Sequence, residues 1–212
     1  MENTNTTSQP VRPGTGEHIL QAQYGTEKRA QAFYDNQVTP RLNSAMQAFI
    51  ARMELMFVST ADGLGRADCS VRAGMPGFVR VVDETTVAYP EYRGNGVMAS
   101  LGNLLENPHI GLLFLDLTGS TVGLHVNGRA EIWDNDALLS DPSMPAIIKR
   151  DILHPDGHLP ERFVVVRVDE AYIHCSKHLP LYQRAEKTIV WGTDDNLLKG
   201  GDYFGVSASR RE

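Results

Sequence analysis

The sequence predicts a mainly β protein with peripheral helices, in which six to seven antiparallel strands form a barrel. Short apolar runs with strand periodicity recur between tight turns from residue 55 onward. Helical periodicity is confined to the stretch before residue 54 and to short stretches between strands. Short strands separated by tight turns, with few helices, are typical of antiparallel barrels.

Seven strands are predicted in chain order. They cover residues 55–60, 67–71, 78–82, 86–89, 109–117, 121–133 and 163–174. Gly128 inside the sixth strand predicts a bulge or a tight bend. A helix is expected over 97–107, with an inner stripe of Val97, Leu101, Leu104 and Leu105, and a shorter helix around 146–152.

The chain divides by composition into four predicted segments. These are a disordered arm (1–17), a helical segment (18–54), the barrel (55–191) and a polar tail (192–212). Pro40 interrupts the helical segment, because the residue before a proline disfavours helix. After it, Leu42, Met46, Phe49 and Ile50 form an apolar stripe that is expected to pack on the barrel or on a partner subunit.

Composition excludes several classes of protein. The 212 residues carry a net charge of −6, so there is no general basic field for nucleic acid. The longest strongly apolar stretch, residues 110–115, is too short to span a membrane, and the first 17 residues lack a secretory h-region. Two cysteines are expected to be free thiols, and a cytoplasmic location follows.

Residues 89–96 are the first candidate site, because they join a strand end to a predicted helix start. The N–H groups of a helix start suit a phosphate, and Gly94 and Gly96 permit close approach of the backbone. Asn95 either donates to an anion or is an ordinary helix cap. Arg72, which precedes a glycine-containing loop, either pairs with a phosphate or lies on the surface.

Other candidate motifs are less informative. Asn127–Ala130 contains an arginine beside a glycine, which fits a barrel bend with a solvated side chain better than a ligand contact. His174, Cys175 and His178 hint at metal, but they lack a second ligand pair at a recognised spacing, so no metal site is predicted. The sequence has no P-loop, G-x-G-x-x-G, G-x-S-x-G or H-E-x-x-H motif.

Taken in order, these segments resemble the pyridoxamine 5'-phosphate oxidase-like family of flavin-binding split β-barrels with Greek-key strand order. The resemblance covers about residues 55–191. It is carried by Phe57–Gly63, Asp68–Val81, Tyr89–Gly96, Ser100–Pro108, the strand pair Ile110–Asp116 and Leu124–Ile132, and His174–Lys177. No single motif is specific for this family, so the resemblance rests on the order in which all of these motifs occur along the chain.

The resemblance implies a homodimer that holds FMN in clefts between protomers. The residues implied along the flavin are Tyr89, Pro90, Glu91 and Tyr92, with Val79, Arg80 and Val81 lending backbone groups. Asn95, Gly96 and Ser100 are implied at the phosphate, assisted by Arg72. Gly123 is implied to face the flavin, and Lys177, Arg184 and Trp191 to close the cleft, in some relatives from the partner subunit.

The sequence departs from true pyridoxamine phosphate oxidases, which carry an Arg-Lys pair where this chain has Gly94 and Asn95. Their strand motif beginning in Arg and ending in Lys, and their C-terminal Trp and Arg pattern, are also missing. The expected function is therefore an FMN-dependent oxidoreductase acting on a small, non-phosphorylated substrate, with NAD(P)H as a possible reductant. Tyr92, His125 and His174 are polar candidates for acid–base roles, but no catalytic residue is assigned.

Two alternatives stay open. A non-catalytic protein would bind flavin or haem for storage, sensing or transfer, with the histidines at 154, 158, 174 and 178 as candidate haem ligands. Some split-barrel relatives bind a deazaflavin instead of FMN, and basic residues hold its acidic tail. The net negative charge of this chain argues against that cofactor.

Overall fold

The computed structural model describes residues 15–155, 159–190, 193, 195, 197–198 and 201–209. Its centre is one seven-stranded antiparallel sheet, as the sequence predicted. The strands are β1 (Leu55–Ala61), β2 (Ala67–Ala73), β3 (Arg80–Asp83), β4 (Thr86–Glu91), β5 (His109–Leu115), β6 (Gly123–Asp134) and β7 (Arg162–His174). The protein has the split β-barrel fold.

The strand order in the sheet is β2-β1-β5-β6-β7-β4-β3. The long strands β6 and β7 pair along their whole length, from Gly123 opposite His174 to Asp134 opposite Arg162. The two edges are β2 and β3, which are joined in sequence by a loop at residues 74–79. This order leaves a seam between β2 and the β3–β4 hairpin, since no strand pairing joins them among the described residues.

The chain divides into two compact units at Val38 and Thr39. The first unit contains α1 (Gly16–Tyr24) and α2 (Glu27–Gln37), which are linked by a hydrogen bond from Gln21 Nε2 to the Tyr34 hydroxyl at 2.6 Å. The second contains the sheet with α3 (Ser44–Ile50), α4 (Ala99–Glu106), α5 (Asn135–Ser140) and α6 (Ala146–Leu153), a 3₁₀ turn at Ser176–His178 and a short α7 (Val206–Ser209). None of the helices in the described ranges is long and apolar enough to cross a bilayer.

Two apolar clusters hold the second unit together. The larger one fills the interior of the sheet with alternate residues of its strands, including Met56, Val58, Phe114 and Val126. The smaller one packs α5 and α6 against the opposite side of β4 and β7, through Leu138, Ile148 and Phe163 among others. Because β4 lies between the two clusters, all six of its residues are buried.

Several helix predictions need correction. The helix predicted from residue 97 begins at Ala99, and Val97 and Leu105 of its predicted inner stripe are 70% and 81% exposed. Of this stripe only Leu101 and Leu104 belong to the core cluster, because Val97 precedes the helix and Leu105 lies on its exposed side. Helix α1 lies almost wholly within the helical segment predicted at 18–54, although it was not delimited as a separate helix, and α5 was not predicted.

The apolar stripe at residues 42–50 packs on the protein's own barrel. Leu42 and Ile50 are fully buried, Phe49 is 8% exposed, and Met46 packs against the same core cluster. Three of these four side chains are therefore buried in the core of their own subunit, and Met46 is partly buried against it.

The predicted irregularity at Gly128 is a bulge in the pairing of β6 with β7. A Cβ atom on Gly128 would lie 2.0 Å from the Arg167 carbonyl oxygen, so only glycine fits without a backbone shift. Another special position is Pro90, which pairs with Phe163 of β7 but lies beyond the last residue that β3 contributes to β4. Because β3 does not pair with this part of β4, the missing N–H of Pro90 costs no hydrogen bond to β3.

We expect Gly128→Ala to lower the free energy of unfolding by about 1–3 kcal/mol, because the added methyl group is forced against backbone. Urea denaturation followed by circular dichroism measures the change. Gly102→Ala is the matched control: Gly102 is exposed in α4 with nothing within 4 Å of its Cβ position. That control is expected to stabilise by about 0.5–1 kcal/mol through helix propensity, and equal effects at the two sites would contradict the bulge constraint.

Candidate functional site

A cavity of about 800 Å³ opens at the seam between β2, the end of β4 and the start of α4. Its walls are the inner residues of β2, the loop from Tyr92 to Met98, and the first turn of α4, with the start of β7 at one side. The lining residues are Asp68, Ser70, Val71, Arg72, Ala73, Glu91, Tyr92, Arg93, Gly94, Asn95, Gly96, Val97, Met98, Ala99, Ser100, Leu101, Glu161 and Arg162. We call this cavity the seam cleft.

An ion pair crosses the seam at the cleft wall. Arg72 on β2 donates from Nε to Glu91 Oε1 at 2.8 Å, and the two side chains are 21% and 11% exposed. Burial raises the pKa of the Glu91 carboxyl, while the guanidinium of Arg72 opposes that rise. The side chains thus join the two sides of the seam, where no backbone ladder does.

A row of polar side chains continues from this pair along β2. Arg72 Nη1 donates to Ser70 Oγ at 2.9 Å, and Ser70 Oγ lies 3.1 Å from Ser100 Oγ. The Ser100 hydroxyl donates to Asp68 Oδ2 at 3.2 Å. Since Asp68, Ser70 and Arg72 are spaced by two, they share the inner face of β2, and Ser100 ties that face to α4.

Two buried polar atoms beside the cleft have no hydrogen-bond partner in the described part of the chain: the Tyr89 hydroxyl oxygen and Arg162 Nε. Tyr89 is fully buried, and its pKa is raised by burial and by the nearby Glu91 carboxylate. Arg162 Nη2 lies 3.6 Å from Glu161 Oε2. Polar atoms that are buried without a partner are uncommon in folded proteins, and both lie next to the Arg72–Glu91 pair.

The loop before α4 has an unusual backbone. Gly96 and Met98 have positive φ angles of 80° and 54°, and Asn95 Oδ1 accepts a hydrogen bond from the Val97 N–H at 3.0 Å. Asn95 therefore closes a local turn and does not cap the helix, which removes one of the two alternatives that the sequence left open for it. The first-turn N–H groups belong to Ala99–Leu101, so Asn95 and Gly96 precede the helix start by three residues or more.

A smaller cavity of about 120 Å³ adjoins the seam cleft through Tyr92. Its wall includes Pro90 and Arg80, whose guanidinium makes two hydrogen bonds to Asp151, at 2.7 and 3.0 Å, and one to the Gly77 carbonyl. Burial and the Asp151 carboxylate raise the pKa of Tyr92. Helix α6, which carries Asp151, thus fixes the side chain of Arg80 and one wall of this cavity.

The structure brings together six of the residues predicted for the flavin site. The seam cleft contains Arg72, Glu91, Tyr92, Asn95, Gly96 and Ser100, and the adjoining cavity adds Arg80 and Pro90. Three others do not line either cavity: the side chains of Val79 and Tyr89 are buried in the core, and Val81 packs against it.

The remaining predicted residues do not line either cavity. Gly123 is buried in β6, where a Cβ atom would lie 2.8 Å from that of His174. Lys177 is exposed in the 3₁₀ turn, and Arg184 Nη1 lies 2.9 Å from Glu54 Oε1. Trp191 lies outside the described residues, as do most of the predicted arm and tail.

The histidine candidates separate into different places. His125 and His174 meet on neighbouring strands, with His125 Nε2 at 3.0 Å from His174 Nδ1 and the His125 ring stacked on Tyr172. Burial and the neighbouring His174 lower the pKa of His125. Neither histidine lines the seam cleft, and no group of three or more potential metal-ligating side chains occurs within the described ranges.

Sequence reasoning missed four lining residues that bear charged or hydroxyl groups, namely Asp68, Ser70, Glu161 and Arg162. Asp68 and Ser70 follow the two-residue alternation that also places Arg72, so the polar pattern on one face of β2 could have revealed them. Arg162 opens β7 some seventy residues after Glu91, and only the pairing of Glu91 with Arg162 in the sheet brings the two together.

Comparison with known proteins identifies the family. The family model described as pyridoxamine 5'-phosphate oxidase matches residues 42–175, which is more than half of the chain and includes the whole seam cleft. The chain belongs to the pyridoxamine 5'-phosphate oxidase family, as the sequence resemblance predicted. No curated protein matches the sequence closely enough to add to this assignment.

Solved structures with a similar fold come from several bacteria. HupZ from Group A Streptococcus is 20% identical with a TM-score of 0.44, covering 59% of this chain and 88% of that one. A Clostridium acetobutylicum protein related to general stress protein 26, of the pyridoxinephosphate oxidase family, is 14% identical (TM-score 0.40; 62% and 85% covered). A FAD-binding protein from Mesorhizobium loti is 12% identical (TM-score 0.41; 64% and 96% covered). Likeness at this level carries no inference about ligand or activity.

We expect Arg72→Met to lower the free energy of unfolding by about 2–4 kcal/mol at pH 7.5, because Glu91 then ionises in a buried site without its partner. The loss should shrink toward pH 5. A carboxyl whose pKa is raised in the folded state gives stability that is present at low pH and lost as the pH rises through that pKa, and the substitution raises the pKa of Glu91 further.

Thermal or urea unfolding at both pH values measures this difference. Arg41→Met is the matched control, because Arg41 makes an exposed ion pair with Glu84 at 3.5 Å, which is worth about 0–1 kcal/mol. A loss in Arg72→Met that does not depend on pH would argue against the ion pair as the source of the stability.

Proposed function

We propose that this protein is a flavin-dependent oxidoreductase that binds FMN in the seam cleft and acts on a small, non-phosphorylated substrate. The observation that carries the proposal is the convergence of Arg72, Glu91, Tyr92, Asn95, Gly96 and Ser100, from three separate stretches of sequence, on one cavity of about 800 Å³. That volume lies in the range of small-molecule and cofactor sites. Membership of the pyridoxamine 5'-phosphate oxidase family supports a flavin as the ligand.

The cleft offers suitable groups for the two ends of FMN. The first-turn N–H groups of α4 at Ala99–Leu101 and the guanidinium of Arg72 favour a phosphate. Tyr92, between the two cavities, offers an aromatic surface for the ring. Bound flavin would supply the redox chemistry, and the protein residues would bind it, orient it and limit the access of water.

The charge of the cleft favours a substrate without a phosphate of its own. Three guanidinium groups line it, from Arg72, Arg93 and Arg162, against three carboxylates, from Asp68, Glu91 and Glu161. With the phosphate of FMN bound, this balance leaves no surplus of positive charge for a second dianion. Pyridoxamine phosphate is therefore a poor fit, and a neutral or apolar molecule fits better.

We expect purified protein to bind FMN and to show a flavin absorption band at about 450 nm. NADH or NADPH should reduce the bound flavin in the absence of oxygen. Ala99→Trp should abolish both binding and reduction, because Ala99 lies in the cleft wall and a tryptophan there fills the cleft. Mass spectrometry of the released cofactor separates FMN from FAD and a deazaflavin. Reoxidation by oxygen, quinones and nitroaromatics is then assayed beside turnover of pyridoxamine phosphate.

Gly102→Trp is the matched control, since it adds the same side chain to an exposed position of α4 outside the cleft. It should bind FMN like the wild type. Efficient turnover of pyridoxamine phosphate would refute the proposed substrate class. Binding without reduction by any donor would identify a non-catalytic flavin protein, and failure to take up any flavin would refute the proposal.

We further propose that the protein works as a homodimer, in which a second subunit covers the open side of the cleft. The cleft rim carries apolar side chains that are unusually exposed, namely Val71 at 53%, Val97 at 70% and Met98 at 50%. Exposed apolar patches of this kind are typical of interaction sites.

Sedimentation at micromolar concentration should therefore give a species of twice the 23.4 kDa chain mass. Replacing Val97 and Met98 together by Asp should shift the protein toward the monomer, since two charges would have to be buried in the interface. Replacing the exposed Leu153 and Leu159, which lie outside the cleft, by Asp should not. A wild-type protein that sediments as a monomer would refute the dimer.

A further inference from the structure

We propose that Glu91 controls phosphate recognition in the seam cleft: its carboxylate holds the guanidinium of Arg72, and a flavin phosphate gains Arg72 only when Glu91 takes up a proton. This inference rests on the proposed flavin site and adds to it a specificity-determining residue. It makes two measurable statements. Binding of FMN consumes a proton, whereas binding of riboflavin, which has no phosphate, does not.

The hydrogen bonds of Arg72 are the first step of the argument. Its Nε donates to Glu91 Oε1 at 2.8 Å, and its Nη1 donates to Ser70 Oγ at 2.9 Å and to the Val71 carbonyl oxygen at 3.2 Å. A guanidinium binds a phosphate best through two parallel N–H groups. The edge that includes Nε is occupied by Glu91, so a phosphate that binds there has to displace the carboxylate.

The surroundings of Glu91 are the second step. Its side chain is 11% exposed, so a carboxylate that loses Arg72 cannot be solvated where it stands. The groups that face it are Arg72 from β2, Arg162 from β7 and the Tyr89 hydroxyl from its own strand. Burial already raises the pKa of Glu91, and a phosphate dianion nearby would raise it further.

The proton balance follows from these two steps. The Glu91 carboxylate accepts one proton from solvent and becomes a neutral carboxylic acid, while Arg72 transfers its charge-assisted hydrogen bond to the phosphate. The neutral acid can donate its own hydrogen bond. The Tyr89 hydroxyl oxygen has no hydrogen-bond partner within the described ranges, and it interacts electrostatically with Glu91. It is therefore available to accept this hydrogen bond. No bond to carbon is made or broken.

The test compares FMN with riboflavin by titration calorimetry in two buffers of different ionisation enthalpy, at pH 8. Wild-type protein should take up close to one proton per FMN and none per riboflavin. Glu91→Gln should bind FMN about tenfold more tightly or better at pH 8, because a neutral amide leaves no charge to neutralise. Its riboflavin affinity should stay within about twofold of the wild type, since the variant changes only the phosphate subsite.

Glu84→Gln is the control for net charge, because Glu84 lies in an exposed ion pair away from the cleft. It should change neither affinity. Equal proton uptake for the two ligands, or an equal change in both affinities in Glu91→Gln, would overturn the inference while leaving the flavin site intact. Failure of the wild type to bind either ligand would overturn the proposed function and this inference together. The calorimetry on wild-type protein decides the matter even if the variant does not fold.

Discussion

The ion pair between Arg72 and Glu91 is the interaction on which the arrangement of the site depends. The strand order puts β2 at one edge of the sheet and the β3–β4 hairpin at the other, and among the described residues no strand pairing crosses the seam, where this ion pair does. A connection made by charged side chains costs the desolvation of two charged groups, which backbone pairing would avoid. The gain is an opening of about 800 Å³ at a place where a continuous ladder would have filled the space with backbone.

The rest of the cleft follows from how β4 ends. Residues after Ala88 extend past Arg80, the first residue of β3, so the last part of β4 is paired with β7 only. Pro90 stands in this part, where a missing N–H is tolerated, and Glu91 at the strand end turns toward β2. Helix α6 braces the start of β3 through the pair of Arg80 with Asp151. A wall of the adjoining smaller cavity is therefore supported by a helix of the smaller apolar cluster.

Much of the fold could be predicted from the sequence, because the strands have a clear period of two and the turns contain glycine, aspartate and proline. The positions of the strands along the chain and the bulge at Gly128 follow from that local pattern. Helix α5 and the start of α4 did not follow. Met98 adopts a left-handed conformation before α4, and nothing about a methionine indicates that its φ angle is positive.

The site could be predicted only in part, for a similar reason. Residues 89–96 and Arg72 were found because glycine, asparagine and arginine in such places suggest anion binding. The partner of Arg72 was not found, because Glu91 is 19 residues away in sequence and the contact depends on the seam. The full burial of the Tyr89 side chain was not predicted either, because a short strand exposed on one face looks the same in sequence as one buried on both.

The open edge of β2 has a consequence for the solubility of the protein. An edge strand exposes unpaired N–H and C=O groups and invites pairing with the edge of another molecule. The inward side of β2 carries Asp68, Ser70 and Arg72. Inward-pointing charged residues make an edge a poor template, because pairing with another strand would bury their charges further. The same three side chains that line the cleft thus protect the molecule from edge-to-edge aggregation, and apolar substitutions that enlarge the cleft would expose the sheet to it.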